Sequence, residues 1–129
     1  MIIVITGAVG QGKTIYMSYL ANEIATEQNM KLYSNYRLLN SSDVNLYEKG
    51  SVIAIDEAQY STILFDNHEE NTLIVAVHDA NWLKLPKDAV IINVQRENDI
   101  IIASNGDEIS ISEHCHLYDA FEPAYKCTV

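Results

Sequence analysis

The sequence predicts an α/β fold with a mainly parallel sheet and an antiparallel hairpin near its C-terminal end. Short apolar runs rich in β-branched residues alternate with polar or helical connections over the first two thirds of the 129 residues. This alternation is typical of a parallel sheet covered by crossover segments. Asn105-Gly106 then lies between two further apolar runs, which is a strong signal for a tight hairpin turn. Because the length suits one hydrophobic core, we expect a single domain over residues 1–129.

Four apolar segments are predicted to form the parallel strands. Each is bounded by turn residues and is apolar throughout, as expected of a strand buried on both faces, and together they cover residues 2–6, 52–55, 72–77 and 89–94. A shorter strand is expected at 31–36, followed by a surface connection at 40–50 with little order of its own. Within 80–87 we expect a turn or short helix that ends at Pro86.

One amphipathic helix is predicted from Thr14 to Asn29. Apolar side chains recur there at helical spacing, and polar side chains occupy the other side; the apolar positions are Met17, Leu20, Ala21, Ile24 and Ala25. The helix should lie on the sheet, giving a three-layer arrangement. The hairpin formed by 100–104 and 109–112 should close one edge of the sheet.

Composition excludes several classes of protein. The formal net charge of −10, from 8 basic and 18 acidic residues, argues against broad non-specific binding of nucleic acid. Two cysteines are too few for a disulfide framework, so a reducing cytoplasm is the expected location. Apolar runs such as Leu73–Val77 are far shorter than the roughly 18 residues that cross a bilayer. We therefore expect no membrane span.

The segment between the first strand and the helix matches G-x-x-x-x-G-K-[ST] in full. It reads Gly7-Ala8-Val9-Gly10-Gln11-Gly12-Lys13-Thr14. In such a phosphate loop, glycines let backbone N–H groups turn inward, the helix N-terminus adds positive potential, Lys13 reaches the β- and γ-phosphates and Thr14 ligates Mg²⁺. No third glycine follows at dinucleotide spacing. The pattern predicts binding of a nucleoside triphosphate.

An acidic pair, Asp56-Glu57, directly follows the apolar strand 52–55. A carboxylate at a neighbouring strand end is what the Mg²⁺ shell of a phosphate loop requires, and Asp56 is the candidate. Glu57 is the candidate general base that orients the attacking water and accepts its proton. Lys13 and Glu57 are thus the predicted catalytic residues, with Thr14 and Asp56 at the metal.

Further polar residues are candidates for contact with the γ-phosphate. His78 and Asp79 end the strand 72–77, and Gln59 lies just beyond the acidic pair. Developing charge on the phosphoryl group is commonly stabilised by an arginine, often from a neighbouring subunit. Arg37 and Arg96 are the two arginines, and we favour Arg96, placed after the strand 89–94, as a residue that reaches across an interface.

The nucleotide is predicted to be ATP. A guanine-binding Asn-Lys-x-Asp segment does not occur in the sequence, which disfavours a GTPase. A small-molecule kinase needs several arginines to clamp its phosphates, and two arginines make that class the weaker interpretation. An ATP-hydrolysing, Mg²⁺-dependent protein is the stronger one.

Three stretches resemble the zonula occludens toxin family, the assembly ATPases of filamentous phages. They are ITGAVGQGKT at 5–14, LYSNYRL at 32–38 and SVIAIDEAQ at 51–59, and the resemblance extends over about residues 1–96. It implies the additional-strand, catalytic-glutamate branch of P-loop NTPases. It also implies a role in moving phage DNA through the cell envelope. The chain differs from that family in a shorter stretch between Gln59 and Thr72 and in having no following transmembrane segment.

The leading expectation is an oligomeric ATPase motor in viral or plasmid DNA export, packaging or virion assembly. It would act as a homo-oligomer in the host cytoplasm, in contact with DNA or with a membrane-associated partner that holds it at the inner membrane. The chain is either the cytoplasmic half of a longer protein or a small stand-alone ATPase. Two alternatives remain open: a slow ATP-dependent switch or adaptor for a membrane partner, and a small phosphotransferase.

Two other groups of residues are weaker candidates for a functional site. His114, Cys115, His116 and Cys127 are zinc-type ligands, but on an extended strand neighbouring side chains point to opposite faces, so we expect no metal site. The segment 82–87 interleaves Trp82 with lysines, as a contact with single-stranded nucleic acid requires. We expect instead a solvated connection with Trp82 packed underneath.

Overall fold

The strands follow the predicted α/β pattern in a computed structural model that describes residues 1–60 and 70–119. Eight strands form one mixed, mostly parallel sheet, and two short strands form a second. The strands are β1 (Ile2–Thr6), β2 (Leu32–Ser34), β3 (Arg37–Leu38), β4 (Ser42–Asp43), β5 (Val52–Ile55), β6 (Thr72–Val77), β7 (Val90–Glu97), β8 (Ile100–Ala103), β9 (Glu108–Ser110) and β10 (Tyr118–Asp119). The helices are α1 (Lys13–Glu27) and α2 (Ile111–His114).

The order of the large sheet is β4-β2-β5-β6-β1-β7-β8-β9. Pairing is parallel from β4 through β7 and antiparallel across β7, β8 and β9. The strand β6 therefore lies between β1 and β5, and the carboxyl ends of all three strands meet at one edge. The antiparallel hairpin of β8 and β9 closes the far side of the sheet, which confirms the sequence prediction.

Three of the predicted strands, 2–6, 52–55 and 72–77, have the predicted bounds. The strand expected at 31–36 is shorter, and residues 37 and 38 belong to β3, which pairs with β10. The strand expected to end at Val94 continues to Glu97, because β8 returns beside it and pairs with residues 94–97. The placement of Arg96 after a strand end was therefore wrong, since Arg96 pairs with Ile101 inside β7.

The connection 40–50 has more order than its polar sequence suggested. It contains β4, which pairs with β2, and a 3₁₀ turn at Val44–Leu46. The Asp43 side chain accepts a hydrogen bond from the Asn45 main chain and so caps that turn. Val44 is buried against the sheet. Here side-chain capping, rather than an apolar pattern, produces the local structure.

The two faces of the sheet are covered differently. The helix α1 buries Tyr16, Met17 and Ala21 against one face. On the other face, within the described ranges, the apolar strand residues are covered by 3₁₀ turns and connecting segments; these contribute Val44, Ala58, Ala80, Leu83, Leu85 and Ala89. The helical layer expected in a three-layer fold is thus seen on one face. No helix among residues 1–60 and 70–119 is long and apolar enough to span a membrane.

Tyr16 fastens α1 to the hairpin. Its side chain is fully buried, and its hydroxyl donates to Asp107 Oδ2 at 2.7 Å and accepts from Asn105 Nδ2 at 3.0 Å. Both partners belong to the turn between β8 and β9. Burial, followed by the bond to Asp107, raises the pKa of Tyr16. The sequence alone does not indicate these bonds, because the polar partners of Tyr16 are about 90 positions away in the chain.

Candidate functional site

The loop of residues 7–14 connects the end of β1 to the start of α1. The helix begins at Lys13, and Gly12 before it adopts the left-handed conformation with φ 88°. A Cβ atom at Gly12 would lie 2.5 Å from Ile101 Cδ1, and one at Gly7 would lie 2.9 Å from the Val94 carbonyl oxygen. A side chain at Gly12 would require the Ile101 side chain to shift, and one at Gly7 would collide with the main chain of β7. The glycines thus let the loop lie close against both neighbours, with the N-terminus of α1 at its end.

Lys13 folds back over this loop. Its Nζ donates hydrogen bonds to the carbonyl oxygens of Gly7 at 2.7 Å and Ala8 at 3.1 Å. Burial lowers the pKa of Lys13, and the nearby charges of Glu57 and Asp56 oppose that shift. The structure therefore places the ammonium group at the loop and within the field of both acidic residues. Phosphate oxygens would replace the two carbonyl acceptors as stronger, charged partners.

A hydrogen bond joins the start of α1 to the end of β5. Thr14 Oγ1 donates to Asp56 Oδ2 at 3.0 Å, and the Glu57 main-chain N–H donates to Asp56 Oδ1 at 2.9 Å. Burial raises the pKa of Asp56, whereas the bonds from Thr14 and from the Glu57 N–H lower it. The charge of Glu57 raises it further, and that of Lys13 lowers it.

The oxygen pair of Thr14 and Asp56 fits a magnesium ion. Mg²⁺ prefers oxygen ligands in an octahedron with bonds of about 2.1 Å, whose adjacent corners are about 3.0 Å apart. The Thr14 and Asp56 oxygens are separated by 3.0 Å. The described residues contain no group of three or more His, Cys, Asp or Glu side chains that could hold a metal.

Asn35 supports the same strand end and was not identified from the sequence. Its Oδ1 accepts the main-chain N–H of Asp56 at 2.8 Å, and its Nδ2 donates to the Asp56 carbonyl at 2.9 Å. Asn35 directly follows β2, the strand that pairs with β5. The sequence analysis placed Asn35 inside the strand expected at 31–36, whereas β2 ends at Ser34, so the sequence carried no signal for this role.

Glu57 has an unusual backbone conformation. Its φ of 51° lies in the left-handed region, which is uncommon for residues other than glycine. Its side chain is exposed, and its Oε2 accepts a hydrogen bond from Gln59 Nε2 at 2.6 Å. Glu57 and Gln59, both candidates from the sequence, are thus in hydrogen-bond contact in the turn that directly follows Asp56.

His78 and Asp79 follow β6, the strand between β1 and β5. The His78 ring lies beside that of Trp82, with ring centroids 5.8 Å apart. Asp79 accepts a hydrogen bond from the Asn81 main chain and caps the 3₁₀ turn Ala80–Trp82. Asp79 therefore has a structural role as a cap. Contact of His78 with the γ-phosphate stays a prediction, and the residue lies directly after the carboxyl end of β6.

The two arginines lie in different parts of the fold. The Arg96 main-chain N–H donates to Gln11 Oε1 at 2.9 Å, so β7 is tied to the loop of residues 7–14 in the same chain. The exposed Arg96 side chain donates through Nε to the Asn98 carbonyl at 2.9 Å. Arg37 instead lies in β3 and lines an open cavity of about 740 Å³ together with Asn35.

The candidate zinc ligands near His114 and the segment 82–87 both have a different conformation or burial from the one predicted. His114–His116 is not extended: it comprises the end of α2 and the 3₁₀ turn Cys115–Leu117, and His114 Nδ1 bonds to the Ser110 carbonyl. Cys127 lies outside the described residues. Trp82 is 55% exposed rather than packed underneath, because Leu83 and Leu85 occupy the core beneath this segment.

Comparison with protein-family models and with curated proteins found no match for this chain.

The half-buried carboxylate of Asp56 gives a testable dependence of stability on pH. A raised pKa means that the folded chain binds this proton more tightly, so the stabilisation is present below the ordinary pKa and is lost as the pH rises through the folded value. We expect Asp56→Asn to raise the melting temperature at pH 7, because it removes a partly desolvated charge. The difference from wild type should shrink as the pH falls toward 4, in thermal melts across that range.

Asp99→Asn is the matched control of opposite sign. Hydrogen bonds from Ser112 and Ser110 lower the pKa of Asp99, so its stabilisation is present at neutral pH and is lost as the pH falls through the folded value. That variant should be less stable than wild type at pH 7. A lower melting temperature for Asp56→Asn at pH 7 would contradict the account of Asp56.

Proposed function

We propose that this chain is a Mg²⁺-dependent P-loop ATPase. The observation that carries the proposal is the bond from Thr14 Oγ1 to Asp56 Oδ2. It joins a complete phosphate loop to an acidic strand end and places side by side a hydroxyl and a carboxylate oxygen, the ligand type that Mg²⁺ prefers.

The strand order supports the finer assignment to the additional-strand, catalytic-glutamate branch. In this sheet β6 is inserted between the loop strand β1 and the acidic strand β5. Glu57 then follows Asp56 directly, where that branch carries its catalytic glutamate. The resemblance of residues 5–14, 32–38 and 51–59 to the zonula occludens toxin family points the same way.

Each residue has a distinct role in the proposed reaction. Backbone N–H groups of residues 7–14 and Lys13 would bind the β- and γ-phosphates, and Thr14 and Asp56 would hold Mg²⁺, which would neutralise charge on the phosphate oxygens. Glu57 orients a water against the γ-phosphorus and accepts its proton. The new P–O bond forms as the bond to the bridging oxygen breaks, and that oxygen leaves with ADP.

Substitutions at Lys13 and Glu57 should separate binding from hydrolysis. Lys13→Ala should abolish ATP binding or nearly so, because it removes the cation at the phosphates. Glu57→Gln should retain binding and lower turnover by about 10² or more, the scale of losing a general base. Calorimetric titration with Mg-ATP and a phosphate-release assay measure the two quantities. Equal loss of binding in both variants would contradict the role of Glu57.

The resemblance further favours an oligomeric motor that moves DNA in viral or plasmid export, packaging or virion assembly. The net charge of −10 restricts any DNA contact to a local basic surface. Within this proposal, single- or double-stranded DNA should stimulate ATP turnover by the purified chain. Tight ATP binding with negligible turnover, unaffected by DNA, would favour the slow switch instead.

Arg96 is proposed as the residue that completes a neighbouring subunit's site. Its side chain is exposed on β7, and its main chain is bonded to Gln11 of the loop, so Arg96 lies at the margin of the nucleotide site. An arginine supplied at the γ-phosphate is worth about 10³ to 10⁵ in rate in well-studied GTPases. We expect Arg96→Ala to lower turnover sharply while ATP affinity is retained.

Two controls accompany the Arg96 prediction. Arg37→Ala, in β3, should leave turnover unchanged. For wild type, activity per chain should rise with protein concentration as subunits associate. Activity that stays constant over a wide dilution series, with Arg96→Ala behaving as wild type, would exclude the interface role.

A further inference from the structure

Gln59 makes a short hydrogen bond to the proposed general base. It lies in the 3₁₀ turn Ala58–Tyr60, two residues after Glu57. The distance from Gln59 Nε2 to Glu57 Oε2 is 2.6 Å, at the short end for an N–H donor, as expected when the acceptor is a carboxylate. Ala58 in the same turn is buried in the core beneath the sheet, so the turn is anchored to the fold.

The other end of the Gln59 amide has no such bond. Gln59 Oε1 is buried and accepts no hydrogen bond from any residue in the ranges 1–60 and 70–119. Rotating the amide by 180° would place its oxygen against the Glu57 carboxylate and bury an N–H group in place of the oxygen. The observed orientation therefore gives the Glu57 carboxylate a hydrogen-bond donor, and it leaves Gln59 Oε1 buried without a donor among the described residues.

Glu57 needs such a partner because little else fixes its side chain. Its main chain is held in the left-handed conformation, with its N–H bonded to Asp56 Oδ1. Its side chain is exposed to solvent, where a glutamate samples several rotamers. The bond from Gln59 selects one direction for the carboxylate, in the turn that leaves β5 next to the Mg²⁺ ligand Asp56.

We infer that Gln59 is a positioning residue that holds the Glu57 carboxylate in the direction required to accept a proton from the attacking water. This inference rests on the proposed ATPase function. Gln59 itself need not touch the nucleotide or the water, because it acts through Glu57. Its contribution should appear in the rate of the chemical step and not in the affinity for ATP.

Gln59→Met tests this role with little change in side-chain volume. The variant lacks the N–H donor and also lacks the unpaired buried oxygen. We expect kcat to fall about tenfold, the scale of one hydrogen bond to a charged group, with KM and the Kd for ATP unchanged. The melting temperature should be unchanged or higher. Gln28→Met, at an exposed glutamine after α1, controls for the chemical change and should behave as wild type.

A double-variant cycle separates positioning from general structural damage. If Gln59 acts through Glu57, adding Gln59→Met to the Glu57→Gln variant should cause no further loss of turnover. An additional tenfold loss in that background would overturn the inference, as would wild-type kcat in Gln59→Met. A lowered melting temperature together with a raised Kd would indicate a structural role and would also overturn it.

The same experiment distinguishes the inference from the proposed function. If wild type hydrolyses ATP and Glu57→Gln does not, an unaffected Gln59→Met variant overturns the positioning role alone. If wild type binds or hydrolyses no ATP, the proposed function fails, and the role of Gln59 fails with it.

Discussion

The hydrogen bond between Thr14 and Asp56 is the constraint on which the rest of the site depends. β1 and β5 are not neighbours: β6 lies between them, and two strand spacings separate their axes by about 9 to 10 Å. The loop and the first turn of α1 therefore have to pass over the end of β6 before Thr14 can reach Asp56. Gly12, directly before α1, adopts a left-handed conformation against Ile101 of β8, on the other side of β1. The fold thus brings into contact two residues that are 42 positions apart in the sequence.

Three amide side chains hold the segments around this contact. Asn35 bonds both main-chain groups of Asp56, Gln11 bonds the main chain of Arg96, and Gln59 bonds the carboxylate of Glu57. Amides carry donors and acceptors without charge, so they fix these segments without adding a further charge to the site. Burial already lowers the pKa of Lys13 and raises that of Asp56. Rigid, uncharged support therefore preserves a site whose charges are themselves costly to bury.

Much of the fold could be predicted because it depends on local patterns. The runs 2–6, 52–55 and 72–77 are apolar throughout, as strands buried on both faces must be, and Asn105-Gly106 specifies its own turn. The end of β7 could not be predicted from 89–94 alone, because its polar continuation is a strand only through pairing with β8. The order inside 40–50 depends on a cap and on pairing with β2.

Some residues of the candidate site could likewise be predicted from local sequence, and others could not. Residues 7–14 and the pair Asp56-Glu57 could be identified because backbone geometry and metal chemistry demand particular residue types at fixed spacing. Asn35 could not, because it fell inside the strand expected at 31–36, and its role exists only once β2 ends at Ser34 and pairs with β5. Which arginine adjoins the loop likewise depended on the sheet, since Arg96 reaches Gln11 through β7.

The most direct test of the central claim is to map where a magnesium nucleotide binds. Backbone amide NMR spectra of the isotopically labelled chain would be recorded during titration with Mg²⁺ and a non-hydrolysable ATP analogue. The account predicts saturable shifts concentrated at residues 7–14 and at Asp56 and Glu57, with the shifts at 56 and 57 lost when a chelator removes Mg²⁺. Absence of shifts at millimolar nucleotide, or shifts confined to the cavity beside Arg37, would contradict it.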